Sequence, residues 1–285
     1  MAEAFGLHEV RRALAEDRTS EDITTRLLGA RADQPAEARF VAEGRCIVAA
    51  VPILATVFEA LDPAARLTPE LEDGSWAEAG TTIATARAAA SALLAGERVA
   101  LNFLQRLCGV ATLTRRAVDA VRGTRARITH TRKTTPGLRA LELYAVGVGG
   151  GVENRTSLAD AVLWKDNHWA LLARNGRSLR DALAGVPRGV PIIVEVESEA
   201  QLEEALTAGV THLLADNQTP ERLGEWARRA GPAVTIQASG GITPETARAY
   251  ADAGAALIAI GALTHSAAAA PLRCDITTQP RQRRE

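Results

Sequence analysis

Lysine is almost absent from this chain: of 33 basic residues only Lys133 and Lys165 are lysine, and arginine supplies the other 31. Cysteine is scarce as well. Cys46, Cys108 and Cys274 form an odd set without CxxC spacing, which argues against a disulfide framework or a zinc site and leaves buried free thiols as the expectation. No run of about 18 uncharged apolar residues occurs, so no membrane-spanning helix is expected. The opening MAEAFGLHEVRRALAED lacks the basic start and apolar run of a secretion signal, so a cytoplasmic location is expected. A surplus of positive charge is missing too. The formal net charge is −1, whereas a protein dedicated to nucleic acid concentrates an excess of basic residues on one face.

What remains is an ordinary globular composition, 47% hydrophobic and 24% charged over 285 residues, long enough for a large and a small domain with separate cores. An amphipathic helix is expected near His8 to Glu16. It is followed by Thr19, Ser20, Glu21, Asp22 and Thr24, whose side chains suit turns and helix starts. ARFVAEGRCIVAA reads as a strand that leads through Pro52 into the helix ILATVFEAL, and LEDGSWAEAGTTIATAR has the glycine punctuation of strands and turns. This predicts a small α/β domain. Between Ala88 and Val121 the chain carries no proline and few glycines, which predicts one or two helices linking two domains.

Beyond that link, short apolar runs alternate with helical stretches: ARITHTR, DAVLWKD, PIIVEVE, THLLADN, VTIQASGG and ALIAIGA. Repeated strand-helix units predict a parallel sheet. The strand candidates end in Arg132, Lys165, Glu197, Asp216, Ser239 and Gly261. Polar endings on nearly every strand favour a β/α barrel, whose chemistry gathers at the C-terminal strand ends, over a doubly wound sheet with one switch point. The expected fold is therefore α/β: a small N-terminal domain over 1–110, rejoined by 266–285, and a TIM-like barrel over 111–265. The tail TTQPRQRRE is expected to be frayed.

Three groups of residues carry chemistry. Arg122, Arg125, Arg127, Arg132, Lys133 and Arg139 occur with no acidic residue between them, and a nearly neutral protein that concentrates cations in this way suits a small polyanion. Arg132, Lys133, Arg155 and Lys165 fall at or near strand ends and are expected to converge on an anion. In an arginine-biased chain, a surviving ammonium marks a place where a compact point charge works and a planar fork does not. SGGIT at 239–243 and IGALTHS at 260–266 each place glycine between a strand and a helix, which frees backbone amides for a phosphate. Glu197 and Asp216 suit ribose hydroxyls or a magnesium ion. Glu195 shares the strand face of Glu197, and alternation alone does not choose between them.

The string ERVALNFLQRLCGVAT, TRKTTPGLRALELYAV, GGG before Arg155, KDNH, EVE, ADN, SGGI and GALTHS resembles the quinolinate phosphoribosyltransferases, or carboxylating nicotinate-nucleotide pyrophosphorylases. The resemblance runs from EDITT at residue 21 to LRCDI at residue 276. It implies an N-terminal α/β sandwich domain, an open α/β barrel and a homodimer with sites at the subunit boundary. It also implies a magnesium-dependent type II reaction in NAD biosynthesis, in which quinolinate and phosphoribosyl pyrophosphate give nicotinate mononucleotide, pyrophosphate and carbon dioxide. Carried over residue by residue, it places Arg132, Lys133, Arg155 and Lys165 around the acceptor carboxylates. Thr131 and Asn154 stand beside them, and Arg98 enters from the neighbouring subunit. It places Glu197 and Asp216 on the ribose hydroxyls and metal, and Ser239, Gly240, Gly241, Gly261 and Ala262 on the 5′-phosphate. Lys133, Lys165, Glu197 and Asp216 are the implied catalytic set.

The sequence departs from the family at His130, often Asp, at Glu153 and Asn154, commonly Asn-His, and at Gly147, often Arg. Three of these positions are expected to flank the acceptor pocket. They motivate two other readings: a paralogue that phosphoribosylates a different aromatic acid, and a metabolite-binding homologue without turnover. A Schiff-base aldolase using Lys133 or Lys165 is a third, disfavoured by cationic neighbours that do not supply the desolvated setting such a lysine needs.

Overall fold

A computed structural model describes residues 4–174 and 176–278. In chain order the elements are α1 Leu7–Glu16, α2 Ile23–Arg26, β1 Pro35–Ala42, β2 Cys46–Ile47, α3 Pro52–Leu61, β3 Arg66–Pro69, β4 Trp76–Ala77, β5 Thr82–Ala89, α4 Ala90–Ala120 and β6 Arg127–Thr129. They continue with α5 Arg139–Val148, β7 Val162–Trp164, α6 Asp166–Arg174, α7 Leu179–Leu183, β8 Ile192–Val196, α8 Glu199–Thr207 and β9 His212–Asp216. The last are α9 Pro220–Ala230, β10 Thr235–Ser239, α10 Pro244–Asp252, β11 Leu257–Ala259, α11 Ala262–His265 and β12 Leu272–Thr278. The chain divides into two compact units: the residues up to Thr112 with Thr135–Gly149 and those from Ala267, and Leu113–Thr134 with Gly150–Ser266.

In the first unit β12, β1, β5 and β3 form an antiparallel sheet in that order. Along β1 the buried Ala36, Ala38 and Phe40 alternate with Glu37 and Arg39, the period-two pattern of a half-buried strand. Helix α3 starts on Pro52, whose missing N–H costs nothing at a first helical turn. It packs on β3 and β5 and sets Phe58 against Phe40 with ring centroids 5.9 Å apart. The run read as one strand from Ala38 to Ala50 breaks at Glu43 and Gly44. A Cβ on Gly44 would lie 2.8 Å from Pro271, and beyond the bend β2 leaves for a separate pairing with β4. The predicted link is one unbroken helix, α4, of 31 residues.

Glu142 on α5 has no exposed surface, yet all its needs are met. One carboxylate oxygen accepts from Arg106 Nη2 at 2.8 Å and from the Thr135 hydroxyl at 2.7 Å, and the other accepts from Thr135 N at 2.9 Å. Cys46 and Cys108 are buried as expected, but Cys274 on β12 is only half-buried. Thr277 and Thr278 pair with β1 and so belong to the sheet; the tail from residue 279 lies outside the described residues.

In the second unit six parallel strands run in the order β6, β11, β10, β9, β8, β7. The strand-helix alternation thus gives the parallel sheet that it predicted. Its two edges, β6 and β7, do not pair with each other among the described residues; β6 is extended by a single bridge between Thr129 and Val152. Helix starts are marked by side chains that accept from exposed amides: Ser198 from Gln201 N and Thr219 from Arg222 N. The first strand is shorter than its apolar run suggested: it ends at Thr129, and Arg132 lies on the loop beyond. Among the described residues no helix is long and apolar enough to cross a membrane.

Candidate active site

Register decides which side chains meet. Glu195 on β8 stands beside Leu214 on β9, which stands beside Gln237 on β10, while Asp216 stands beside Ser239. Residues two apart share a face, so Ile193, Glu195 and Glu197, then Leu214 and Asp216, then Gln237 and Ser239, all turn toward a cavity of about 530 Å³ at the C-terminal strand ends. Thr131, Arg132, Lys133, Asn154, Arg155 and Lys165 also line it. One wall is therefore cationic and the other acidic.

On the cationic wall the TRK turn is set by Thr131, whose hydroxyl accepts from Lys133 N at 3.1 Å. Thr264 Oγ1 holds the Lys133 carbonyl at 2.8 Å. Lys165 directly precedes α6, and the KDNH motif closes on itself there: Lys165 N donates to His168 Nδ1 at 2.9 Å. Burial, and then the positive charge of Arg132, lower the Arg155 pKa.

On the acidic wall Glu195, Glu197 and Asp216 bring carboxylate oxygens within 4.8 Å of one another, a spacing that can hold a metal ion. Glu195 is the buried member and pairs with Lys165 Nζ at 3.4 Å, whereas Glu197 lies exposed just past the end of β8. Burial raises the Glu195 pKa; Lys165 opposes this and Asp216 adds to it. With the folded-state pKa raised, the stability linked to this group is present at low pH and lost as pH rises through that pKa. Glu195→Gln, which does not titrate, is therefore expected to raise the melting temperature more at about pH 8 than at about pH 4.5. Thermal melts at the two pH values measure this.

The ADN and SGG motifs interlock. Asn217 adopts a left-handed φ of 53°, donates its backbone N–H to Ser239 O at 2.9 Å and its side-chain N–H to Asp216 Oδ2 at 2.6 Å. Gly240, at φ 94°, lies so close that a Cβ there would sit 2.2 Å from Asn217 Oδ1, so only glycine fits. Gly241 follows at φ 60°, ahead of the amino end of α10. Ser239 lines the cavity, but Gly240, Gly241, Gly261 and Ala262 are not among its lining residues. A Cβ on Gly261 would come 3.3 Å from Lys133 Cδ, which places that glycine beside the lysine stem.

Of the remaining expected positions, Arg98 lies on α4 in the first unit, where it is exposed, and Gly147 lies on α5 in that same unit. His130 is buried, Glu153 is exposed, and neither lines the cavity. Gln237 was not singled out by sequence reasoning, although it is 1% exposed and lines the cavity. His212 Nε2 lies 2.9 Å from its Oε1. The signal was a polar residue two positions before Ser239 in an otherwise apolar strand.

Comparison with known proteins agrees with this geometry. Residues 22–108 match the family model of the quinolinate phosphoribosyl transferase N-terminal domain, and residues 110–275 match that of its C-terminal domain. The probable carboxylating nicotinate-nucleotide pyrophosphorylase of Bacillus subtilis (strain 168) is 38% identical over 262 residues, covering 92% of this chain and 90% of that protein. The carboxylating nicotinate-nucleotide pyrophosphorylase of Mycobacterium leprae (strain TN) is 40% identical over 264 residues, with 90% and 92% covered. The crystal structure of nicotinate-nucleotide pyrophosphorylase from Ehrlichia chaffeensis superposes with a TM-score of 0.89 at 31% identity, covering 97% of this chain and 100% of that one. With both domain models matched and a two-walled cavity at the strand ends, this chain belongs to the quinolinate phosphoribosyltransferase family.

Proposed function

We propose that the chain catalyses the carboxylating nicotinate-nucleotide pyrophosphorylase reaction of NAD biosynthesis, transferring the phosphoribosyl group of phosphoribosyl pyrophosphate to the ring nitrogen of quinolinate. The observation that carries the reading is the cavity in which Arg132, Lys133, Arg155 and Lys165 face Glu197 and Asp216. A monocarboxylic acid such as nicotinate offers one carboxylate to Arg132, Arg155 and Lys165, whereas quinolinate offers two.

In this reading Arg132, Arg155 and Lys165 bind the acceptor carboxylates, with Thr131 holding the turn that presents them. Arg98 of a second copy completes that wall in a homodimer. Lys133 neutralises the departing pyrophosphate. Ser239, Gly240, Gly241, Gly261 and Ala262 receive the 5′-phosphate, and Glu197 and Asp216 hold the ribose hydroxyls. The same two carboxylates fit magnesium, a hard cation that prefers oxygen ligands and bridges carboxylate and phosphate. Bound there, magnesium would neutralise charge on the diphosphate. The lone pair of the ring nitrogen forms the bond to C1 of the ribose as the C1–O bond to pyrophosphate breaks. The 2-carboxylate then leaves as carbon dioxide, its electron pair flowing toward the cationic ring nitrogen, and a proton replaces it. Fixed cations placed where negative charge grows lower the barrier to the first step, and no side chain is needed as a base. The reaction is placed in the cytoplasm.

Pyrophosphate release by the purified protein with magnesium and phosphoribosyl pyrophosphate tests the reading across quinolinate, nicotinate and other pyridine carboxylic acids. Quinolinate alone is expected to give turnover, with nicotinate mononucleotide as product. Turnover of another acid instead would favour a paralogue with a changed acceptor, and binding of phosphoribosyl pyrophosphate with no pyrophosphate release for any acid would favour a binding protein.

A further inference from the structure

The loop carrying Arg155 must be held beside the loop carrying Arg132 against the repulsion of two like charges, and the structure shows how. Hydrogen bonds join the segments. Val152 N donates to Ile128 O at 2.8 Å, and Thr129 Oγ1 donates to Val152 O at 2.8 Å. Asn154 N then donates to His130 Nε2 at 3.1 Å, and Asn154 Nδ2 donates to His130 O at 3.2 Å. The first two continue the edge of β6 and need no particular side chain except Thr129. The third depends on the His130 ring and the fourth on the Asn154 side chain, each reaching the other residue's backbone. Asn154 also accepts from Arg155 N through its own Oδ1 at 2.8 Å, so its amide is committed at both ends although the residue lines the cavity. His130 is 3% exposed and sits two residues before Arg132. Accepting at Nε2 requires that nitrogen to be unprotonated, which assigns the ring proton to Nδ1.

We propose that His130 and Asn154 act as a pair of positioning residues, latching the Arg155 loop to the Arg132 loop and thereby setting the separation of the two guanidiniums for adjacent carboxylates on one ring. Asn154 works through Arg155 and is not itself a ligand of the acceptor. The two bonds are separate, each running from one side chain to the other residue's backbone, so each single variant removes one of them and leaves the other. This inference rests on the acceptor reading given above.

The test compares His130→Leu, Asn154→Ala and the double variant with the wild-type protein. Each single change is expected to raise KM for quinolinate about tenfold, the size of one net hydrogen bond, while KM for phosphoribosyl pyrophosphate stays within about twofold. The double variant, which loses both bonds, is expected to raise the quinolinate KM further than either single one. His130→Gln, which keeps an acceptor for Asn154 N, should recover much of the loss and also covers the case in which the leucine variant does not fold. Hydrogen exchange of residues 152–156 in the ligand-free proteins reads the latch without reference to turnover, and it should accelerate in both single variants. Unchanged exchange in the His130 variants would overturn the latch. Faster exchange with an unchanged quinolinate KM would overturn its positioning role. Turnover of quinolinate by the wild-type protein separately decides the acceptor reading.

Discussion

Lys165→Arg is expected to lower kcat/KM for quinolinate by roughly 10- to 100-fold although it conserves charge, corresponding to the ~1.5–3 kcal/mol of a hydrogen bond to a charged group. The reason lies in the neighbour. Lys165 Nζ stands 3.4 Å from a carboxylate oxygen of the buried Glu195. An ammonium can spread its three donors between that carboxylate and an incoming anion, whereas a guanidinium matches a carboxylate with two parallel bonds. Arginine would therefore turn its fork onto Glu195 and offer less to the acceptor. Lys133→Arg is expected to act similarly for phosphoribosyl pyrophosphate, because a planar fork would replace a compact point charge. Steady-state kinetics with each substrate varied in turn measure both. Near-normal constants for the two variants would remove the claim that geometry, and not charge alone, retained these lysines.

Glu142→Ala is expected to cost about 3–5 kcal/mol of stability, because it strands Arg106 and Thr135 without the carboxylate they share. In a protein of this size that corresponds to a fall in melting temperature on the order of 10 °C. Glu142→Gln keeps an acceptor for Thr135 and should lose less. Calorimetry of the three proteins decides: equal stability would show that the network contributes no more than a well-packed neutral core would. The contrast with Glu195 is instructive. Both carboxylates are buried beside a cation, but Glu142 is fully hydrogen-bonded within its unit, whereas Glu195 is held in a cavity where its ionised form is disfavoured.

The parts of this fold that depend on local pattern were legible in the sequence. Apolar runs separated by helical stretches marked the parallel strands, and their polar endings marked the end of the sheet where Lys165, Glu197, Asp216 and Ser239 meet. Contacts distant in sequence were not legible. Nothing near Glu43 and Gly44 announces that Pro271 lies against the bend, so one strand was read where two occur. ARITHTR looked like a strand through Arg132. The side chain of His130 instead turns to bind Asn154, 24 residues on, and β6 stops at Thr129. Alternation placed Glu195 and Glu197 on one face but could not say which was buried, because that depends on Lys165 across the strand. Gln237 was passed over because its partner His212 belongs to the neighbouring strand.

The most direct test of the central claim follows the carboxylate that must leave. Quinolinate carrying an isotopic label in its 2-carboxylate would be incubated with the protein, magnesium and phosphoribosyl pyrophosphate, and labelled carbon dioxide, pyrophosphate and product would be measured together. The account predicts labelled carbon dioxide and pyrophosphate in equal amounts, unlabelled nicotinate mononucleotide, and no carbon dioxide when phosphoribosyl pyrophosphate is omitted. Pyrophosphate released with the label retained in the product, or no release at all, would contradict it.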